Sequence, residues 1–206
     1  MKLYTHATAP NPRRVNVFLA EKNIEVGRVL VDLQAGEHKS FEFMAKNMNG
    51  QIPMLELDDG SYISESISIC RYFEALNATP SLFGETPKEI ASIDMHLRRI
   101  ELALGRNVSS SWVNGPIVAQ MAKGRFTQIP EAKNQSDTFV NNYYVRLNDE
   151  LADRSMIAGE NYSVADITTM CIIDFAEQMV SLKPSDTLVH LARWRDQVGS
   201  RPSAKA

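Results

Sequence analysis

The sequence has only two cysteines among its 206 residues, Cys70 and Cys171, and neither has a second cysteine or a histidine at a ligand spacing. This scarcity excludes a disulfide-stapled scaffold and a cysteine-based zinc site, so we interpret both as reduced thiols of the core. No metal and no nucleotide cofactor is predicted, because the histidines are scattered and show no ligand spacing. The histidines are His6, His38, His96 and His190.

An excess of positive charge and long apolar runs are also missing. The formal net charge is −3, and no dense Lys/Arg block occurs, so we expect neither a nucleic-acid partner nor attraction to an anionic membrane. No stretch reaches the ~18 apolar residues of a membrane span, and no apolar segment follows Met1. With 44% hydrophobic and 23% charged residues, the composition is typical of a globular protein, which we expect to be cytoplasmic.

The first 78 residues alternate between strand and helix patterns. Short β-prone runs at 2–6 and 26–33 are separated by a helical pattern, for which Asn11 is placed as the cap. The Asp-Gly turn within 58–61 makes the third and fourth strands an antiparallel hairpin, and helical spacing returns after it. The order strand, helix, strand, helix, strand, strand, helix predicts a thioredoxin-like domain built as a βαβ unit and a ββα unit.

The second part of the chain shows only helical patterns. Prolines and glycines within 79–87 predict a domain boundary, and we expect residues 88–206 to form an all-helical bundle domain. Its first long helix should kink or end at Gly115-Pro116. Ser163 and Asp166 have the spacing of a capping box, which predicts a later helix start and a structural role for both.

One segment with chemical potential is Gln51-Ile52-Pro53, directly before the third strand. A cis Ile52–Pro53 bond would turn the peptide groups of Ile52 outward, where an extended peptide could pair with them. A trans bond would merely begin an edge strand. The tripeptide leaves both alternatives open.

A second such segment, Ser64-Glu65-Ser66, lies at the start of the helix after the hairpin. Free N–H groups and the helix dipole favour an anion there, so Ser66 could hold a carboxylate while Glu65 takes a neighbouring ammonium group. Alternatively, Ser64 is an ordinary cap with acidic residues near it.

These motifs, in this order and followed by an all-helical half, resemble the glutathione transferases over essentially the whole chain. The resemblance implies that Gln51, Ile52 and Pro53 pair with the cysteinyl backbone of glutathione, and that Glu65 and Ser66 hold its γ-glutamyl end. Gly36 to Ser40 is similar to a theta-class segment. It therefore implies that His38 reaches the glycine carboxylate, with Lys39 as an alternative.

The sequence departs from the family where a group should stabilise the glutathione sulfur. Aligned on the following Arg-Val pair, the catalytic serine or threonine of several classes falls on Ala9, which has no donor. Asn11 matches the asparagine of the bacterial nu-class motif, and the hydroxyl of Thr8 could replace the missing one. Asn11 could equally be a helix cap, and backbone N–H groups after Pro12 could act instead. Tyr4 should face the other side of its strand.

The resemblance implies a transferase that directs the glutathione thiolate at a hydrophobic electrophile or at a disulfide, with glutathione as co-substrate, and a homodimer. An isomerase, a dehalogenase or a disulfide reductase would share these motifs. A non-catalytic or regulatory protein of the same fold is the alternative that Ala9 favours. The helical half would supply the acceptor site, for which the candidates are Met95, Arg99, Trp112 and Met121.

Overall fold

A computed structural model describes residues 1–122, 124 and 127–206 of the chain. They form two compact units, of which the first contains Met1–Leu82 together with Pro202–Ala206, and the second contains Phe83–Arg201. The sequence predicts that residues 88–206 all belong to the helical domain, whereas Pro202–Ala206 belong to the first unit. The last residues join the first unit through polar contacts: Arg13 donates to the Ala204 carbonyl at 3.1 Å, and Ser203 donates to Glu21.

The first unit is built on a four-stranded sheet with the order β2-β1-β3-β4. β1 is parallel to β2 and antiparallel to β3, and β3 and β4 form the predicted antiparallel hairpin. β2 is shorter than predicted because the carboxylate of Asp32 accepts from the N–H groups of Gln34 and Ala35 and turns the chain. The strands are β1 (Lys2–Thr5), β2 (Gly27–Leu30), β3 (Met54–Glu56) and β4 (Tyr62–Ser64).

Three α-helices and two 3-10 segments accompany this sheet: α1 (Pro10–Glu21), the 3-10 turn Glu37–Lys39, α2 (Phe41–Lys46), α3 (Ser66–Leu76) and the 3-10 segment Pro202–Lys205. α1 packs a fully buried stripe of Val15, Phe18 and Leu19 into the core. Its N-cap is Ala9, so the predicted capping role of Asn11 is wrong and Asn11 lies in the first turn. The predicted thioredoxin-like element order is confirmed.

The second unit is helical in the part that the structure describes. Its elements are α4 (Pro87–Arg99), a π-helical segment (Ile100–Gly105), α5 (Arg106–Val113), α6 (Pro116–Ala122), α7 (Pro130–Glu150), α8 (Val164–Val180) and α9 (Val189–Gly199). Ile93, Leu97 and Leu104 form a buried stripe at helical spacing. α5 ends before Gly115, as predicted. None of the described helices is long and apolar enough to cross a membrane.

The start of α8 is held by a buried carboxylate. Asp166 Oδ1 accepts from the Ile157 N–H and from Trp194 Nε1, both at 2.9 Å. Its Oδ2 accepts from the N–H and the hydroxyl of Ser163, which completes the predicted capping box. Burial raises the pKa of Asp166, and these four donors oppose that rise. The carboxylate therefore joins α8, α9 and the segment before α8.

Candidate functional site

The three loops that carry the predicted site residues begin at one edge of the sheet. Tyr4 pairs with Met54, and Met54 pairs with Ser64, so the end of β1, the start of β3 and the end of β4 lie side by side. Each loop therefore leaves or enters the sheet at the same edge. The predicted residues lie in these loops or in the first turn of the helix that follows: Thr8 and Asn11 after β1, Gln51, Ile52 and Pro53 before β3, and Glu65 and Ser66 after β4.

The segment before β3 leaves a peptide group open. The Ile52–Pro53 bond is cis, which was one of the two alternatives. Asn47 Nδ2 donates to the Gln51 carbonyl at 2.8 Å and fixes the approach to the strand. Across the described ranges, the N–H and the carbonyl of Ile52 form no hydrogen bond with another backbone group. An extended peptide can therefore pair with Ile52 as an added strand.

The start of α3 is strained and lacks a side-chain cap. Glu65 is the N-cap, with φ 68° and ψ 116°, so Ser64 does not have the capping position that we considered for it. A non-glycine residue at such a φ costs on the order of 1–3 kcal/mol, and residues of this kind concentrate at binding sites. The Glu65 side chain is exposed, whereas Ser66 is only 5% exposed. Ser66 Oγ accepts from Arg14 Nη1 at 2.5 Å.

The turn that contains His38 and Lys39 packs against the segment before β3. A side chain at Gly50 would place its Cβ 2.7 Å from the His38 carbonyl and 3.0 Å from Lys39 Nζ, so only glycine fits this approach. Lys39 Nζ donates to the Asn49 carbonyl at 3.1 Å. The structure thus brings both candidates for the glycine carboxylate next to Gln51.

His38 itself is half-buried. Its Nδ1 atom is buried and has no hydrogen-bond partner among the residues that the structure describes. Desolvation, with a further contribution from the charge of Lys39, lowers the pKa of His38 below the usual range. The imidazole is therefore neutral near pH 7, and an anion close to it would raise its pKa again.

The first turn of α1 offers few backbone donors. Pro10 and Pro12 have no N–H, and the N–H of Arg13 donates to the Ala9 carbonyl at 3.0 Å. The predicted alternative of backbone N–H groups after Pro12 therefore loses its first member. The N–H of Asn11 has no carbonyl four residues before it within the helix, and the Asn11 side chain is exposed. Asn11 thus offers both an amide side chain and a backbone donor.

Two other polar side chains near this end of β1, those of Thr8 and Tyr4, already have hydrogen-bond partners within the protein. The N–H and the hydroxyl of Thr8 lie 3.2 and 3.4 Å from His6 Nδ1, and Thr8 is exposed. The Tyr4 hydroxyl donates to Glu56 at 2.7 Å and accepts from Lys46 at 2.9 Å. Tyr4 is therefore occupied on its own face of the sheet, as the strand alternation predicted.

Comparison with known proteins agrees with this geometry. The family described as "Glutathione S-transferase, N-terminal domain" matches residues 1–75, and "Glutathione S-transferase, C-terminal domain" matches residues 114–202. Glutathione S-transferase 2 of Saccharomyces cerevisiae is 36% identical over 211 residues, which cover 100% of this chain and 88% of the relative. The chain belongs to the glutathione S-transferase family.

Solved structures of glutathione S-transferases have the same fold. The crystal structure of Gtt2 from Saccharomyces cerevisiae matches with a TM-score of 0.91 and 35% identity, over 100% of this chain and 99% of that one. The Gtt2-class glutathione S-transferase of Vibrio parahaemolyticus matches with a TM-score of 0.87 and 32% identity, over 100% and 96% of the two chains. The sheet edge described above therefore lies in the N-terminal glutathione S-transferase domain.

The acceptor-site candidates lie in the second unit, and the structure does not gather all of them. Met95 and Arg99 are one helical turn apart on α4, and both are exposed. Trp112 is half-buried and meets the ring of Phe175 edge-to-face at 5.4 Å. Met121, on α6, is 55% exposed. Phe175 was not predicted, and helical spacing alone could not have paired it with Trp112.

Within residues 1–122, 124 and 127–206, no three histidine, cysteine, aspartate or glutamate side chains come together at a metal-binding distance. Arg14, which contacts Ser66, was not among the site residues predicted from the sequence. Its one sequence signal is an arginine inside the apolar stripe of α1, where a charged residue needs a partner.

Proposed function

We propose that the protein is a glutathione transferase in which glutathione, as co-substrate, lies along the sheet edge of the first unit. The cysteinyl backbone of glutathione would pair with Ile52, within the segment of Gln51, Ile52 and Pro53. Glu65 would hold the γ-glutamyl ammonium, and Ser66 would hold the carboxylate beside it. The observation that carries this proposal is the open peptide group of Ile52 on the same sheet edge as the uncapped start of α3.

The glycine end of glutathione would lie at the turn of the 3-10 segment. We assign its carboxylate to His38, whose buried Nδ1 has no partner in the described part of the chain, and to Lys39 as the second contact. Lys39 Nζ has three donors and uses one for the Asn49 carbonyl, so it can still bind a carboxylate.

The chemistry proposed is nucleophilic attack by the glutathione sulfur. A free thiol has a pKa near ~8.5, so the protein must favour the thiolate and aim it. Asn11 is our first choice for the stabilising donor, and Thr8 is the second. The thiolate would form a bond to an electrophilic carbon while the leaving group departs with its electron pair. With a disulfide, the new S–S bond forms as the old one breaks, and a thiolate leaves.

The hydrophobic electrophile would bind in the second unit, near the exposed residues Met95 and Arg99 of α4, with Trp112 and Met121 as further candidates. We also propose a homodimer and a cytoplasmic location, both from family membership. The relatives named above are glutathione S-transferases, so the comparisons do not favour the non-catalytic alternative.

Calorimetric titration with glutathione tests the proposal. We expect saturable binding by the wild-type protein, and Ser66→Ala should weaken it by about 1–3 kcal/mol, because a hydrogen bond to a charged group is lost. Ser68→Ala is the matched control, since Ser68 is an exposed serine on the same helix. A folded wild-type protein that does not bind at millimolar glutathione would refute the proposal.

A further inference from the structure

A buried arginine lies directly behind the proposed carboxylate contact. Arg14, on α1, is 3% exposed, and its Nη1 donates to the hydroxyl oxygen of Ser66, on α3, at 2.5 Å. A guanidinium group has five N–H donors and no acceptor. The oxygen of Ser66 must therefore accept in this contact, and the hydroxyl hydrogen must point away from Arg14.

Among the described residues, no acceptor forms a hydrogen bond with the hydroxyl hydrogen of Ser66. Serine near a helix start commonly turns its hydroxyl toward a neighbouring backbone group instead. The contact with Arg14 fixes the position of the oxygen, so the remaining donor is held for an acceptor outside the protein. Ser66 is also the first residue of α3, where the free backbone N–H groups favour an anion.

We propose that Arg14 is a positioning residue for ligand binding: it orients Ser66 as a hydrogen-bond donor toward the γ-glutamyl carboxylate of glutathione. This inference rests on the proposed function. Arg14 does not touch the ligand in this arrangement. It determines which of the two roles of a hydroxyl group, donor or acceptor, is available to the ligand, and so it contributes to selectivity for a carboxylate at that position.

Selectivity gives the sharpest test. The two ligands are glutathione and an analogue in which the α-carboxylate of the γ-glutamyl residue is replaced by hydrogen. The wild-type protein should bind glutathione at least about tenfold more tightly than the analogue. Arg14→Gln should lose most of this preference, because the glutamine amide can accept from Ser66 and turn the hydroxyl inward. A purely structural role would weaken both ligands equally.

Two further variants act as controls for folding and position. Arg13→Met changes the neighbouring arginine, which contacts the Ala204 carbonyl, and should keep the wild-type preference. Arg14→Met replaces the guanidinium donor with an apolar side chain. Proteins often tolerate such a replacement at a buried ionic site. This variant should lose the preference as Arg14→Gln does. In steady-state assays, both Arg14 variants should raise the KM for glutathione about tenfold, with kcat at saturating glutathione within about twofold.

A double-mutant cycle separates orientation from charge. If Arg14 acts through the hydroxyl, Arg14→Gln should change the preference little once Ser66 is alanine. A full further loss in the Ser66→Ala background would show that the arginine charge acts directly on the ligand, which would overturn the inference. So would folded Arg14 variants with an unchanged preference. If the wild-type protein does not bind glutathione at all, the proposed function fails instead, and the two failures are thereby distinguished.

Discussion

The start of α8, in the second unit, differs from the starts of α1 and α3, in the first unit, in how the backbone donors are used. At the start of α8, Ser163 and Asp166 occupy the donors with a complete capping box. The starts of α1 and α3 have Ala9 and Glu65 as N-caps, and neither forms a side-chain cap hydrogen bond. A helix start that the protein satisfies itself contributes to folding, whereas one that it leaves open can be completed by a ligand.

The two histidines with lowered pKa values follow the same division. His96 is buried in the second unit, where its Nε2 lies 3.1 Å from Arg154 Nη1, and desolvation, followed by the charge of Arg154, lowers its pKa to about 4. His38 has a buried Nδ1 without a partner among the described residues, at the proposed glutathione site. His96 thus has a partner within the protein, whereas the proposed site contains a histidine whose buried Nδ1 has none among the described residues.

The largest effect on stability is expected at the start of α8, where the capping box is complete. Asp166→Ala should lower the free energy of unfolding by about 3–5 kcal/mol, because it leaves buried donors such as Trp194 Nε1 unpaired. Urea denaturation measures this. The glutathione affinity of the folded fraction should stay at the wild-type value. A loss of less than about 1 kcal/mol in the free energy of unfolding would show that the contacts of this carboxylate contribute little to stability.

An open helix start should respond in turnover rather than in stability. If Asn11 supplies the donor to sulfur, Asn11→Ala should raise the pKa of the bound thiol and lower turnover by about 10²–10³, as does the loss of one oxyanion donor. Thiolate absorbance against pH and conjugation of a small aromatic electrophile measure this.

Thr8→Val is the second variant in the same assays. The melting temperature of Asn11→Ala should change little, because Ala9 and not Asn11 is the N-cap. Wild-type pKa and rate in both variants would exclude a side-chain donor from this loop, and the backbone N–H of Asn11 would become the leading candidate.

Acid should destabilise the scaffold through His96. Its pKa in the folded protein is about 4, below the ~6.5 expected when unfolded, so the unfolded state binds more protons between these values. Stability should therefore fall by about 1–2 kcal/mol as pH decreases from 6.5 to 4, an estimate reduced for screening by nearby charges. His96→Gln should flatten this part of the profile in urea denaturation. An unchanged slope would assign the acid sensitivity to other groups.

Removing only the hydroxyl of the capping box should have a smaller effect. Ser163→Ala should cost roughly 0.5–2 kcal/mol of stability. The KM for glutathione should not change, since Ser163 lies in the second unit and caps α8. A large rise in KM with an intact melting temperature would contradict the division between scaffold and site.

The smallest change in stability is expected at the strained cap. Glu65→Gly should leave the free energy of unfolding within about 1 kcal/mol of wild type, because relief of the positive φ offsets the entropic cost of glycine. Glutathione binding should weaken because the carboxylate is lost. Glu65→Ala, which keeps the strain, is the control and should be the less stable of the two. Equal stabilities would show that the backbone at this position is not strained.

The sequence predicts the parts of the fold that local chemistry determines. The Asp-Gly hairpin and the capping box of α8 are local, and both are confirmed. The prediction of Asn11 as the cap of α1 is wrong because Pro10 and Pro12 are both compatible with a first turn. The sequence alone does not say which of the two prolines begins the helix.

Contacts between distant residues could not be predicted in this way. α9 begins with the N–H groups of His190 and Leu191 donating to Asn148 on α7, so its cap is a residue far away in the chain. The contact between Arg14 and Ser66 likewise depends on how α1 packs beside α3. The sequence motifs thus identified the candidate site residues, whereas the residues that position them could be found only from the folded structure.

The return of Pro202–Ala206 to the first unit has a consequence for synthesis of the protein. During translation, the surface of α1 that carries Arg13 and Glu21 emerges early, but its partners Ala204 and Ser203 are made only after the whole second unit. The first unit can complete its hydrogen bonds only after the second unit has left the ribosome. A fragment ending at Leu82 would therefore be an unfinished unit, although it contains every strand of the sheet.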